Sequence, residues 1–295
     1  MQITFYGVRG SIPSPGPDTV RYGGNTTCID VVTDNGDRII LDGGTGIRQL
    51  GLDMMDQLPL SCAIFITHTH WDHIQGLPFF TPLFVPGNKV DFYGAFDPVY
   101  MKDLRTILAQ QMEYCYFPIR ENELKATLSY NSLQEGDKIT VGSATVTCIL
   151  LNHPVLNFGY LIEADGKRFF FTGDNESPIN IYNPGDDDYA EFQGLIEERE
   201  THIIDFIRGV DCIVIDAQYT KEEYFKNKVG WGHGYFESSI RLAEKAEISQ
   251  VHITHHDPTR TDTQLDSIFS QLAQQGAIPQ GMHVSPAKEK YTIYL

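Results

Sequence analysis

Thr67-His68-Thr69-His70-Trp71-Asp72-His73 directly follows the apolar, strand-like run Cys62–Ile66. Four residues with metal-binding side chains therefore fall within six positions at the C-terminal end of a strand. Neutral imidazoles and carboxylates are the usual ligands of zinc, manganese and iron. In a loop of this spacing His68 and His70 point to one side, which leaves Asp72 and His73 to turn toward a second ion a few ångströms away. Three histidines can share a loop as solvated or hydrogen-bonded groups, but so dense an alternation is far more specific than any single histidine.

The surrounding chain is a body able to carry such a site. It has 295 residues, 41% of them apolar and 12% aromatic, enough for a sizeable core and too much for wholesale disorder. Asp and Glu number 39 against 22 Lys and Arg, a formal charge of −17. That sign repels phosphate backbones and gives no basic footprint for long nucleic acids. No apolar run reaches the roughly 20 residues needed to span a bilayer. The opening MQITFYG is strand-like rather than a signal peptide. The five cysteines (28, 62, 115, 148 and 212) are scattered and form no C-x-x-C pair, so they read as reduced thiols. A cytoplasmic location without membrane attachment is the expectation.

Two halves, about 1–137 and 138–295, repeat one plan of strands followed by helices, within a single domain spanning 1–295. Short β-branched runs are read at Ile3–Tyr6, Thr27–Val32, Arg38–Leu41 and Cys62–Ile66, and again at Lys138–Val141, Thr145–Leu150, Gly159–Glu163 and Arg168–Phe171. Cys212–Ile215 and Gln250–Ile253 follow later. Ile47–Met55 and Tyr235–Ala246 carry helical periodicity. Pro98–Leu128 and Asp186–Arg208 read as insertions. The second is expected to lie as a surface helix on the core. The first, with its aromatic 112–117 segment, is expected to wall a pocket or a dimer interface.

The motif His68-Thr69-His70-Trp71-Asp72-His73 resembles the H-x-H-x-D-H hallmark of the metallo-β-lactamase superfamily. The resemblance covers nearly the whole chain, in the family's order: Asp42 in Leu41-Asp42-Gly43-Gly44, His153 in Asn152-His153-Pro154, Asp174 in Thr172-Gly173-Asp174 and His255 in Thr254-His255-His256-Asp257. It implies an α/β architecture, the four-layer αββα sandwich of two face-to-face sheets with helices outside. It also implies two divalent metal ions, zinc or manganese, with iron also compatible. His68, His70 and His153 would hold one ion, Asp72, His73 and His255 the other, and Asp174 would bridge them. Two such ions share a hydroxide, lower its pKa and clamp the attacking and leaving oxygens of a phosphoryl centre. His255 is preferred to His256 as the last ligand because of its Thr-His flank, and His256 then faces the substrate, supports a ligand from behind or only packs. Asp42 resembles the carboxylate that orients a ligating imidazole.

Gly230-Trp231-Gly232-His233-Gly234 resembles the extra histidine motif of the superfamily's phosphodiesterase branch, which includes tRNase Z. Glyoxalase-type and lactonase-type members lack it. In that branch the histidine, here His233, donates a proton to the leaving alkoxide or contacts the phosphate, and the carboxylate that orients it corresponds to Asp216. The N-terminal segments Tyr6-Gly7-Val8-Arg9-Gly10-Ser11-Ile12-Pro13 and Arg21-Tyr22-Gly23-Gly24-Asn25-Thr26 resemble cyclic-nucleotide phosphodiesterase-like members, phage anti-Pycsar nucleotide hydrolases among them. Arg9 and Arg21 either bind a phosphate or form structural ion pairs, and Asn25 either lines the site or caps a strand. A small phosphodiester, a 3′,5′-cyclic nucleotide, is the expected substrate. Asp72, His233 and Asp216 are the expected catalytic residues, and a homodimer is the expected assembly. The alternatives are a tRNase Z-like RNA phosphodiesterase, a lactone or thioester hydrolase, and a metal-containing nucleotide sensor without turnover. The acidic charge and the lack of a Gly- and Pro-rich arm weigh against a whole tRNA.

Overall fold

Alternation along the first strand sets the pattern for the whole molecule. In β1 (Gln2–Gly7) Ile3, Phe5 and Gly7 are buried while the residues between them are more open, as period-two geometry requires of a strand with one face on a core. The computed structural model describes residues 1–295. β2 (Cys28–Val32) and β3 (Arg38–Leu41) follow as a hairpin whose turn places Gly36 at φ 85°. Next come β4 (Ser61–Phe65), β5 (Lys89–Ala95) and β6 (Thr127–Leu133). The second half supplies β7 (Lys138–Val141), β8 (Ala144–Leu151), β9 (Asn157–Ala164), β10 (Lys167–Phe171), β11 (Cys212–Asp216), β12 (Gln250–Thr254) and β13 (His283–Pro286). β14 (Thr292–Tyr294) returns to the first half.

These strands form two seven-stranded sheets, β14-β1-β2-β3-β4-β5-β6 and β13-β12-β11-β10-β9-β8-β7. The halves match in direction as well as order. β1, β2 and β3 are antiparallel and β3 to β6 parallel. Likewise β8, β9 and β10 are antiparallel and β10 to β13 parallel. Each parallel step needs a crossover. Helices α1 (Gly46–Asp53), α2 (Trp71–Ile74) and α3 (Leu104–Gln110) lie on those of the first half. Helices α4 (Tyr189–Ile207), α5 (Lys221–Asn227), α6 (Phe236–Lys245) and α7 (Asp262–Gln274) lie on those of the second.

The two stretches read as insertions are therefore crossovers. Pro98–Leu128 carries α3 and ends inside β6, and Asp186–Arg208 is α4, which joins β10 to β11. Sequence periodicity reports a helix but not which strands it connects, hence the misassignment. Four strands (β5, β6, β13 and β14) and three helices (α2, α5 and α7) escaped the sequence reading. β5 has good alternation, but Gly87-Asn88 and Gly94 interrupt its surroundings; β13 and β14 are short edges. The start of α7 is marked by Thr261 and Gln264 in a reciprocal cap.

Phe169, Phe170 and Phe171 show why two layers of helix are needed. All three are fully buried. Phe169 and Phe171 join Phe5, Phe65 and Tyr160 between the sheets, whereas Phe170 packs with Ile203, Ile207 and Ile240 under the helices. A strand covered on both faces loses its polar alternation. Burying each ring contributes roughly 1.5–3 kcal/mol. A matching outer cluster of Ile47, Leu50, Ile64, Val90 and Leu104 covers the first sheet. The result is helix, sheet, sheet, helix, the αββα sandwich. No helix is long and apolar enough to cross a membrane.

Candidate metal centre

The site forms where β4, β8, β10, β11 and β12 end. β4 leads through Thr67 into the His68–His73 loop, which α2 terminates. Asp174 follows β10 through Gly173, which takes φ 61°. A Cβ at Gly173 would lie 2.7 Å from Thr67 Cβ, so the two loops meet at backbone distance. His153 follows β8, Asp216 closes β11 and His255 follows β12.

Asp174 sits at the centre, buried. Its Oδ2 is 3.5 Å from His68 Nε2 and 3.9 Å from His153 Nε2. Its Oδ1 is 3.2 Å from both His73 Nε2 and His255 Nε2. Each carboxylate oxygen thus serves a different group. One group is His68, His70, His153 and Asp174; the other is Asp72, His73, Asp174 and His255. His70 Nδ1 lies 3.1 Å from His153 Nε2, and Asp72 Oδ2 lies 3.0 Å from His255 Nε2. Burial alone would push the Asp174 carboxyl up, but His255, His73, His68 and His233 reverse this and hold it well below the usual carboxylate range.

The residues fit divalent cations. His68 Nε2 and Asp174 Oδ1 are buried and have no hydrogen-bond partner, although imidazole nitrogens stand within 3.5 Å of Asp174. A buried acceptor left unpaired costs about 1–3 kcal/mol, and lone pairs that converge without donors suit an ion. The far ring nitrogens are fixed as a ligand's should be. His73 Nδ1 meets Asp42 Oδ2 at 2.8 Å, His153 Nδ1 meets the Gly232 carbonyl at 2.9 Å and His68 Nδ1 meets Thr67 Oγ1 at 3.1 Å. Asp42, at φ 61°, also accepts the Thr67 N–H at 2.7 Å. That is the orienting place expected for it.

His233 joins the same cluster. Its Nδ1 is 3.1 Å from Asp216 Oδ2 and its ring stacks on His255 at 4.7 Å. Burial opposes its positive charge, but Asp216 and Asp174 outweigh burial and raise the imidazole to about 9.

The residues expected on the substrate side are not at the cluster. Arg9 is fully buried, and its guanidinium donates to the carbonyls of Gly23, Asp257 and Arg260 at 2.7, 3.1 and 2.7 Å. It ties the N-terminal loop to the segment after β12. Arg21 pairs with Asp266 at 2.5 Å on the surface. Asn25 is held by Glu289 through its backbone and its side-chain nitrogens. His256 is buried with Nε2 on the Ala287 carbonyl, and burial pushes its imidazole down to about 3. The Gly-rich loop serves the cluster in another way. A Cβ on Gly10 would lie 2.3 Å from the His255 ring, so glycine permits the contact. Ser11, at φ 64°, donates its N–H to Asp72 Oδ2 at 2.6 Å.

Ser11, and Glu176, which accepts the Gly230 and Gly232 N–H groups of the His233 loop at 2.7 and 2.6 Å, were both passed over in the sequence. Ser11 stands in a Gly-rich loop whose flanking arginines read as phosphate ligands or as ion-pair partners. Glu176 matched no spacing; its only signal was a charged residue two positions after Asp174.

Beside His68 and His153 opens a cleft of about 430 Å³, lined also by Phe96, Tyr100, Leu150 and Leu156. None of its 16 lining residues is Lys or Arg. Met112 of the aromatic segment is buried and Phe117 packs edge-on against Phe79 at 5.3 Å, while Tyr114 and Tyr116 remain exposed.

Residues 37–256 match the family model described as beta-lactamase superfamily domain. Ribonuclease Z of Clostridium acetobutylicum is 20% identical over 291 residues, which cover 89% of this chain and 90% of that protein. The metallo-beta-lactamase fold protein YhfI from Bacillus subtilis aligns with TM-score 0.68 at 16% identity, over 99% of each chain. A diphosphatase from the PhnP family aligns with TM-score 0.66 at 19% identity, over 100% of this chain and 97% of that one.

Proposed function

The chain belongs to the beta-lactamase superfamily, and from that premise we propose that it is a dinuclear-metal phosphodiesterase that opens 3′,5′-cyclic nucleotides to linear monophosphates. The observation that carries this reading is the His233–Asp216 pair, 3.1 Å apart, with His233 Nδ1 only 3.8 Å from Asp174 Oδ2. Ester chemistry with good leaving groups has little use for a proton donor at this position, whereas a ribose alkoxide is a strong base and needs one. A placed general acid is worth about 10²–10⁴ in rate.

Two divalent ions, zinc or manganese with iron also compatible, would acidify a shared water there and offset the charge that develops on phosphorus. The chain's own part follows from its contacts. Asp174 holds the two ligand groups at one spacing. Asp42, the Gly232 carbonyl and Thr67 fix the rings of His73, His153 and His68. Ser11 fixes Asp72. His233 spends Nδ1 on Asp216, which leaves Nε2 to hand a proton to the leaving ribose oxygen. The cleft beside His68 and His153 supports a small, singly charged substrate. It is large enough for a nucleoside and offers no cation to a second phosphate.

The relatives named ribonuclease Z favour a second reading, cleavage of an RNA phosphodiester on the same centre. The net charge of −17 argues against a polyanion. Chromatography of the manganese- or zinc-loaded protein after incubation with 3′,5′-cyclic AMP, GMP, CMP and UMP, and in parallel with a precursor tRNA, separates the two. Linear monophosphates with intact tRNA are expected. A trimmed tRNA with untouched cyclic nucleotides would replace the first reading by the second.

A further inference from the structure

Glu176 is buried, with 5% exposure, and no Lys, Arg or His pairs with it. Its Oε1 accepts the Tyr224 hydroxyl at 2.6 Å and the Gly230 N–H at 2.7 Å, and its Oε2 accepts the Gly232 N–H at 2.6 Å. Buried carboxylates normally meet a cation or coordinate a metal. Here all the donors are neutral, and two belong to the loop that presents His233. Gly230 and Gly232 take φ 83° and 88°. N–H groups from such turns form a small anion-binding concavity, and Glu176 fills it.

The same loop reaches the ligands. The Gly232 carbonyl holds His153 Nδ1 at 2.9 Å, and a Cβ at Gly232 would sit 2.4 Å from that nitrogen. The main chain of Glu176 closes the circuit. Its N–H donates to the Asn152 carbonyl at 2.9 Å, and its own carbonyl accepts from Asn152 Nδ2 at 2.9 Å. One residue therefore joins the turn after Asp174, the segment bearing His153 and the loop bearing His233.

We propose that Glu176 is a positioning residue for the proton donor: it anchors the 230–233 loop so that His233 meets Asp216 beside the ligands. The inference rests on the reading of His233 given above. Loss of the anchor should slow a reaction to the extent that its leaving group needs a proton. A ribose alkoxide needs one; p-nitrophenolate does not.

The test compares wild type, Glu176→Gln, Glu176→Ala and His233→Ala at saturating manganese, on 3′,5′-cyclic AMP and on bis(p-nitrophenyl) phosphate. Circular dichroism confirms folding and elemental analysis the metal content. The Glu176 variants should lose about 10²-fold in kcat on the cyclic nucleotide and less than about tenfold on the aryl diester, the same asymmetry as His233→Ala. Equal losses on both substrates, or none, with the fold intact, would overturn the role of Glu176. A second arm needs no turnover: in a Trp71→Phe background, acrylamide quenching of Trp231 should rise in Glu176→Gln. A wild-type protein inert on both diesters would overturn the reading of His233. The quenching arm would then decide for Glu176 alone, and unchanged quenching would sink the anchor.

Discussion

β3 and β10 end at equivalent places in the two halves, and the halves put different residues there. In the first half the turn residue is Asp42, at φ 61°. Its carboxylate faces the Thr67 N–H and His73 Nδ1, behind the ligands. In the second half Gly173 takes the turn, also at φ 61°, and the carboxylate moves one position along to Asp174, in the middle of the cluster. The ends of β4 and β11 are exchanged in the same sense. β4 delivers imidazoles that a carboxylate supports, whereas β11 delivers a carboxylate, Asp216, that supports an imidazole, His233. A repeated backbone thus provides equivalent turns, and a shift of one residue past the positive-φ position decides whether a carboxylate binds an ion or steadies the residue that does.

The largest effect should come from removing the central carboxylate. Asp174→Ala should abolish phosphodiester cleavage, with a loss of at least about 10³-fold, and lower metal occupancy as read by elemental analysis. Full activity in that variant would undo the distinction between the two turns. Asp42→Asn keeps the ligands and weakens only their support, so metal affinity should fall about 10–100-fold by competition with a chelator. A loss as great as that of Asp174→Ala would mean that the two carboxylates share one role.

Gly173→Ala tests the turn itself. At φ 61° and 2.7 Å from Asn157 Oδ1, a methyl group is strained, and the melting temperature should fall by the equivalent of about 1–3 kcal/mol. An unchanged melt would show that the second turn tolerates a side chain as the first one does.

The smallest effect concerns Asp30 in β2, whose counterpart strand β9 buries no charge. Burial raises the Asp30 carboxyl to about 6, with Arg38 pulling the other way. The folded state therefore holds this proton more tightly than the unfolded state. The penalty is absent below the unfolded value near 3.8 and complete once the pH has risen past about 6. Asp30→Asn should stabilise the protein by no more than about 3 kcal/mol at pH 7.5, and the gain should vanish near pH 4. Denaturant midpoints at the two pH values check it; a gain that is larger in acid reverses the sign.

These contrasts show what a linear reading can reach. His68, His70, Asp72 and His73 stand out in the sequence because ligand chemistry needs such side chains closely spaced at a strand end, whereas His153, Asp174 and His255 stand out only through the family's order and flanking residues. Arg9 does not declare itself, since a guanidinium suits a phosphate and three backbone carbonyls equally well, and only the arrival of Gly23, Asp257 and Arg260 decides between them. Glu176 is illegible for a related reason: its partners lie about fifty residues away and two of them are backbone groups of glycine. The sandwich is implied by the resemblance of the motifs and their order, but the roles of Pro98–Leu128 and Asp186–Arg208 depend on which strands pair, and that is a property of the sheet.

One pairing has a consequence for how the protein is made. β14 lies against β1, with Gln2 opposite Tyr294 and Thr4 opposite Thr292. On the ribosome β1 emerges nearly three hundred residues before β14. Throughout that interval the first sheet presents an open edge, the kind of edge that recruits strands from neighbouring chains. The nascent first half is therefore the vulnerable species, and the three-residue β14, made last, covers β1 and leaves a much shorter edge in its place.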